Sequence, residues 1–453
     1  MKNLINKKQN REGKQRSMSI FTTKLDYNKV LANQENEVHL VTRIDAPELQ
    51  SDERKPVAFA ICLDRSGSMA MERKFDYALE ACVGVVKNLR PDDLFSLVTF
   101  DSEVEVVLPL VKMEDKEQVC EIIRNLSTRG MTYLSGGWEQ AKEQLIKAEP
   151  GMLKRMLLLT DGMANRGITD HRELITLVGD GLRDHGIRTS CLGFGDHYQE
   201  DLLSDMATHS TGNFYDVDSK EKLPTVFAAE LEGALRISVE NLRVRIKPEE
   251  YCESWDDFGG MRKSILEDGR TELLVGDLVS EEVRSFALQV RVSPCDSGMS
   301  GDLISMEFIY DLVLEDGVES SSEERVVEIS FVDNPEKVVL DDSILSIITT
   351  QRTSKIIRQA IEKIDRGEEL EAIEFLRGEL KKLEELERPE LIADSEMLIR
   401  STIEKIEMGW RRSRGRKFAQ YSSRSYSKMS SSEYWSADES YSPSFKGTND
   451  DEL

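Results

Sequence analysis

Asp64-Arg65-Ser66-Gly67-Ser68 sets one carboxylate and two hydroxyls at alternate positions, directly after the apolar run Val57-Ala58-Phe59-Ala60-Ile61-Cys62-Leu63. Such a run reads as a buried strand, and the carboxyl end of a strand is where an open α/β sheet holds its ligand. Gly67 permits a tight turn, so three hard oxygens can face one small volume. Oxygens of this kind suit Mg²⁺ or a similar hard cation. Two more fall at comparable places: Thr132 in Arg129-Gly130-Met131-Thr132-Tyr133-Leu134-Ser135-Gly136, and Asp161 after the apolar Met156-Leu157-Leu158-Leu159-Thr160. The competing structural reading is that Ser66 and Ser68 cap a helix starting near Met69 while Asp64 braces the loop.

The same residues argue against catalysis. A phosphatase built on a nucleophilic Asp needs an acid/base Asp two residues later, and Ser66 stands there. Gly193-Phe194-Gly195 ends a late strand without the third glycine of a dinucleotide fingerprint, and there is no P-loop. The five histidines, His39, His171, His185, His197 and His209, show no HxxxH or HExxH spacing. A non-enzymatic role is expected.

Short apolar runs must position these oxygens. Between residues 57 and about 236 they alternate with amphipathic helical patterns, as a parallel sheet covered on both faces requires. Strands are expected at 57–63, 94–100, 104–108, 155–160, 188–194 and 213–217, with helices near 75–88, 116–125, 135–148, 172–185, 200–207 and 223–236. This is a doubly wound, mostly parallel α/β domain. After Ile237 the period changes to strict alternation: Phe286, Leu288, Val290, Val292; Ile304, Met306, Phe308, Tyr310, Leu312, Leu314; Val327, Ile329, Phe331. Period two means antiparallel strands with one wet face. Val38, Leu40, Thr42 and Ile44 alternate likewise upstream, which predicts that the α/β domain is inserted in a β-sandwich. Helical periodicity returns from Asp341 to Trp410, with Gly367 dividing the first two helices and Pro389 opening a third; packing on the sandwich is expected.

The expected organisation is a flexible N-terminus (1–18), N-terminal strands joining the sandwich (19–56), the α/β domain (57–236), the sandwich (237–335), a helical region (336–410) and a disordered Ser/Tyr-rich tail (411–453). The tail is too poor in apolar residues to offset its ordering entropy.

With 60 Lys and Arg against 85 Asp and Glu, the formal charge is −25, which argues against nucleic acid or anionic lipid as a partner. Six scattered cysteines without a CxxC pair read as reduced thiols. No run of about 18 apolar residues occurs, so no membrane span is expected. Together these features predict a cytoplasmic protein.

Asp64-x-Ser66-x-Ser68 with Thr132 and Asp161 resembles the metal-ion-dependent adhesion site of von Willebrand factor type A domains. The resemblance covers roughly residues 57 to 236 and includes Leu192-Gly193-Phe194-Gly195-Asp196 and Gly212-Asn213-Phe214-Tyr215, similar to bacterial members. It implies that Ser66 and Ser68 bind Mg²⁺ directly, with Mn²⁺ or Ca²⁺ as alternatives. Asp64, Thr132 and Asp161 hold the water shell or swap into it. It further implies one position left for an Asp or Glu of a protein partner. Two Asp only just neutralise a divalent ion, so neutral hydroxyls leave it electrophilic toward another acid. Met131 departs from the family pattern, where a second glycine commonly precedes the Thr. Arg65 should point away from the ion, or else touch the partner's acid. The competing functional reading is a regulatory or assembly subunit of a stress or phosphorylation pathway, acting through its tail while the metal site is structural.

Overall fold

The structure is a computed structural model that describes residues 19–49, 55–195, 197–217, 219–258, 261–314, 317–407 and 430–431. The expectations of a flexible 1–18 segment and a disordered 411–453 tail lie outside the described residues, apart from Ser430 and Ser431. In chain order, β1 (Phe21–Leu25), β2 (Lys29–Leu31) and β3 (Asn36–Asp45) lead into β4 (Val57–Asp64). The α/β region continues with α1 (Lys74–Asn88), β5 (Leu94–Phe100), β6 (Val104–Lys112), α2 (Lys116–Arg124), α3 (Leu134–Leu145), β7 (Leu153–Thr160), α4 (His171–His185), β8 (Ile187–Phe194), α5 (Glu200–His209), β9 (Phe214–Val217) and α6 (Leu223–Leu235). Strands β10 (Ile237–Pro248), β11 (Cys252–Asp257), β12 (Arg262–Ile265), β13 (Thr271–Val279), β14 (Val283–Val292), β15 (Ser300–Leu314) and β16 (Gly317–Val332) follow. Helices α7 (Leu345–Asp365), α8 (Glu369–Glu384) and α9 (Pro389–Glu407) come next, and Ser430–Ser431 form the short β17.

The central sheet has the order β6-β5-β4-β7-β8-β9, parallel throughout except for β6, which runs antiparallel on the edge. Strand β4 is buried along its entire length, and its alternation divides two cores. Val57, Phe59, Ile61 and Leu63 face the layer of α1 and α6. Ala58, Ala60 and Cys62 face that of α3 and α5, where the fully buried Trp138 donates its indole N–H to Thr189 Oγ1 at 3.1 Å. Gly181 on α4 lets the Trp138 ring lie against the helix backbone, since a Cβ there would stand 2.6 Å from the indole. All six cysteines are free, and Cys62, Cys82, Cys120 and Cys191 are buried.

Two further sheets form the sandwich. One runs β1-β3-β14-β11, with β17 beside β14; the other runs β12-β13-β10-β15-β16-β2. Strand β3 pairs with β14 along its whole length, from Asn36 opposite Val292 to Asp45 opposite Val283. Segments before and after the α/β region therefore share a sheet, as the upstream alternation predicted. Their apolar faces meet in one core that includes Leu40, Val244, Leu288, Phe308 and Phe331.

The helices pack on this sandwich. Ile344 and Ile348 cover Val41, Phe258 and Ala287. The Gln351 side chain accepts from the Ala287 N–H at 2.8 Å and donates to the Ser285 carbonyl at 2.7 Å, so the sheet and α7 share buried polar contacts. No helix among the described residues is long and apolar enough to cross a membrane.

Candidate metal centre

Three loops at the carboxyl edge of the central sheet converge on the oxygens singled out in the sequence. Backbone hydrogen bonds lace them together: Arg65 N–H to Phe100 O (3.0 Å), Arg129 N–H to Arg65 O (2.7 Å), Gly67 N–H to Gly130 O (3.2 Å), Tyr133 N–H to Asp101 O (2.9 Å) and Asn165 N–H to Thr132 O (3.3 Å). Gly130 is needed at this junction. Its φ is +75°, and a Cβ there would stand 2.8 Å from Ser102 Oγ and 2.9 Å from the Ser102 nitrogen. Met131 needs no such freedom; it is tied by its N–H to Ser102 Oγ at 3.0 Å, and its side chain points outward.

The side chains form one hydrogen-bonded chain. Thr160 Oγ1 donates to Asp64 Oδ2 (2.6 Å), and Asp64 Oδ1 accepts from the Ser66 N–H (2.8 Å). Ser66 Oγ lies 3.1 Å from Ser68 Oγ, which donates to Asp161 Oδ1 (2.6 Å). The other Asp161 oxygen accepts from the ammonium of Lys74 at 3.0 Å. Thr132 reaches the group across Gly162: a Cβ on that glycine would be 3.2 Å from Thr132 Oγ1 and 4.0 Å from Asp64 Oδ2. Asp64, Ser66, Thr132 and Asp161 are buried, whereas Ser68 is partly open to solvent.

Of the helix-cap alternative, the bracing of the loop by Asp64 is present and the cap by Ser66 is not. A 3₁₀ segment does start at Gly67 with Ser66 in the cap position, but the Ser66 side chain makes no capping bond. Arg65 faces away from the site, as one of the two expectations held. It is buried and pairs with Asp101 at 2.7 Å and Glu105 at 2.8 Å, so contact with a partner's acid is not its role. His197 is exposed, and its neighbour Asp196 lies outside the described residues.

Sequence reasoning missed four contributors: Thr160, Lys74, Asn165 and Asp101. Asn165 fixes the Thr132 loop by accepting its N–H at 3.1 Å. Asp101 collects Arg65 and Arg129 into a brace beneath the loops. Both follow strands at the same sheet edge, which was the available signal.

Burial pushes the Asp64 carboxyl up to about 6, against the opposing hydrogen bonds from Thr160 and Ser66. The folded state therefore binds more protons than the unfolded chain between the ordinary value of 3.8 and about 6, and stability falls as pH rises through that window. About two units correspond to roughly 3 kcal/mol. The wild-type stability relative to Asp64→Asn should drop by about that amount between pH 4 and pH 7 in chelator, measured by urea unfolding at each pH. A difference independent of pH would show that Asp64 titrates normally.

An open, mostly parallel sheet with helices on both faces and a hydroxyl-rich oxygen cluster at its carboxyl edge defines a doubly wound α/β class. Residues 59–229 match the family model of the von Willebrand factor type A domain. These residues form a von Willebrand factor type A domain. Among curated proteins it is similar to uncharacterized protein YfbK of Escherichia coli (26% identical over 224 residues, 49% of this chain and 38% of that protein). It is also similar to uncharacterized protein sll0103 of Synechocystis (23% over 247 residues, 53% and 58%) and to inter-alpha-trypsin inhibitor heavy chain H1 of Bos taurus (26% over 259 residues, 54% and 27%). The chain thus spans between 27% and 58% of the length of these relatives.

Two solved structures share the fold over most of the chain. A von Willebrand factor type A protein from Catenulispora acidiphila has a TM-score of 0.66 at 15% identity, covering 87% of this chain and 91% of that one. The ArnB paralog VWA2 from Sulfolobus acidocaldarius has a TM-score of 0.59 at 15% identity, covering 90% and 98%. Domains of this family are commonly metal-dependent interaction modules and are generally non-enzymatic.

Proposed function

We propose that this protein docks a partner protein through a divalent cation, Mg²⁺ by preference, held by Ser66 and Ser68 with Asp64, Thr132 and Asp161 around it. One observation carries the reading. Asp64, Ser66, Ser68 and Asp161 are joined in one hydrogen-bonded chain at the sheet edge with Thr132 nearby across Gly162, and among the described residues no cluster of three or more His, Cys, Asp or Glu offers an alternative. The 3.1 Å between the Ser66 and Ser68 hydroxyls is close to the roughly 3 Å between adjacent oxygens of an octahedral shell of Mg²⁺ size. A bound cation would supply a positive centre for the carboxylate of an Asp or Glu on the partner. Ser66, Ser68 and Thr132 contribute neutral oxygens, which leave that centre undersaturated in charge. No nucleic acid or membrane partner is proposed, in keeping with the formal charge of −25.

Lys74 tunes the same site. Its ammonium already balances one of the two carboxylates, so it opposes an incoming cation while raising the net positive charge once one is bound. Replacing Lys74 with Met keeps an apolar side chain of similar length and removes the ammonium, which stands 5.3 Å from the centre of the Phe194 ring. Mg²⁺ should then bind about tenfold more tightly in calorimetric titration. Weaker binding would instead make Lys74 a residue that positions Asp161.

The reading is tested by affinity capture on the immobilised full chain with and without EDTA. Retention of a partner in Mg²⁺ and its release by chelator is expected. Retention that survives EDTA and the Asp64→Ala and Ser66→Ala changes would contradict the reading. The six free cysteines support placing the protein in the cytoplasm, which recovery in a membrane pellet would refute. The alternation and the helical restart at Asp341 support the division into α/β domain, sandwich and helical region at 57–236, 237–335 and 336–410.

A second reading has one observation behind it. Ser430 and Ser431 pair with Arg284 and Val283 on β14, so these two residues lie beside the sandwich. A protein acting through this tail would lose its partner on deletion of 411–453 and keep it in EDTA.

A further inference from the structure

We infer that Met71, Met131 and Met163 form an apolar collar around the cation site, selecting a partner acid that is flanked by apolar side chains. This inference rests on the docking function proposed above and adds the character of the partner. Met71 follows Ser68 by three residues, Met131 precedes Thr132, and Met163 follows Asp161 by two. Each of the three loops therefore carries one exposed methionine, at 54%, 55% and 58%, while Met69 in the first is buried. Of the large apolar residues exposed among the described residues between 57 and 235, only Ile122 on α2 lies elsewhere. Scattered exposed apolar residues need no explanation, but exposure concentrated on the rim of one site does.

The backbone under Met71 reinforces this. Met71 breaks the helical path at φ −67° and ψ 143°, and the next two residues, Glu72 and Arg73, both adopt left-handed φ values of 54° and 60°. Consecutive non-glycine residues in that region are costly, and such strain gathers where a loop is held for binding. Here the strained turn leaves Met71 at the rim and carries Lys74 inward to Asp161.

Charge decides which segment fits. Asp64 and Asp161 against Lys74 and a divalent ion leave a net +1 at the mouth, enough for one carboxylate. The chain as a whole carries −25, so a run of acids would be repelled beyond the first. Arg65 and Arg129 do not change this, because Asp101 and Glu105 neutralise them; Arg166, which donates to the Ser102 carbonyl, adds a cation on one side of the rim. Binding beyond the single acid must then come from apolar contact, and methionine is the side chain that adapts to varied apolar surfaces.

The experiment pans a library of nine-residue peptides, with a fixed central Glu and random flanks, over the full chain loaded with Mn²⁺. The expected result is EDTA-released peptides enriched in Leu, Ile, Phe or Met beside the Glu. The combined variant Met71→Gln, Met131→Gln, Met163→Gln should bind Mn²⁺ as the wild type does, yet hold an enriched peptide about tenfold more weakly. Mn²⁺-dependent recovery with polar, acidic or unselected flanks would overturn the collar and leave the docking function standing. An unchanged affinity of the Gln variant would do the same. No Mn²⁺-dependent recovery of any peptide would overturn both.

Discussion

Replacing Asp64 with Ala is expected to abolish the stabilisation of this protein by Mg²⁺ while leaving it folded in chelator. At a free Mg²⁺ concentration 100 times its dissociation constant, the wild type should gain about 2.7 kcal/mol, visible as a rise in melting temperature. The variant should gain nothing. Asp64 sits beneath the site, fully buried, and accepts from the Ser66 N–H and from Thr160 Oγ1. Its loss removes one of the two carboxylates of the proposed site and the acceptor that holds the Ser66 N–H in the turn. In chelator the variant loses those hydrogen bonds, at about 1–3 kcal/mol for each buried donor left unmade. It also sheds a carboxylate that burial already disfavours in its charged form. These effects partly offset, so a modest drop in chelator together with a complete loss of the Mg²⁺ response is the expected pattern. The double variant Ser66→Ala, Ser68→Ala should show the same lost response with a smaller change in chelator. If the Asp64→Ala protein still responds to Mg²⁺, the cation binds elsewhere.

The second large effect concerns the join between the α/β domain and the sandwich. Asp277 on β13 accepts from Arg155 on β7 at 2.5 Å and also pairs with Arg188 on β8, and all three are largely shielded from water. Burial pushes the Arg188 guanidinium down to about 10, so it remains charged at neutral pH. Burial opposes the charged Asp277 too, but the two guanidiniums outweigh it and hold this carboxyl below its ordinary value. Asp277→Ala leaves two buried cations without their shared partner, a change that typically costs about 3–5 kcal/mol. Equilibrium urea unfolding should show that loss. Removing the cations as well, in Arg155→Met, Arg188→Met, Asp277→Leu, should recover much of it, because well-packed apolar replacements relieve the desolvation penalty. A loss below about 1 kcal/mol for Asp277→Ala would show that the join is held by apolar contact alone. A cavity of about 350 Å³ lies at this join, lined in part by Arg155, Arg188, Arg262 and Asp277.

What the sequence conveyed follows from how strongly each feature depends on local pattern. Val57–Leu63 reads as a buried strand because every residue is apolar, and the strand found there differs only by taking in Asp64. The β3 register against β14 was visible in the alternation of Val38, Leu40, Thr42 and Ile44. Strands β1 and β2 were expected only as strands without bounds within 19–56, and β12 was not visible. They are short, and β12, Arg-Lys-Ser-Ile, carries two cations with no inward alternation. Strand β10 begins two residues after α6 ends, so its first apolar residues merge with the helical pattern. At the site, Asp64, Ser66, Ser68, Thr132 and Asp161 stood out because each follows a strand or a glycine-bearing turn. Lys74 did not. Beside Arg73 it reads as a surface lysine, and only the two left-handed residues before it bring the ammonium onto Asp161. Thr160 reads as the last residue of an apolar strand, while its hydroxyl is the group that holds Asp64.

The central claim is the place of the cation. Crystals of the full chain grown in MnCl₂ and measured near the manganese edge should give one strong anomalous peak within about 2.3 Å of both Ser66 Oγ and Ser68 Oγ, beside Asp64, Thr132 and Asp161. A peak held by other residues, or none here at saturating Mn²⁺, would contradict it.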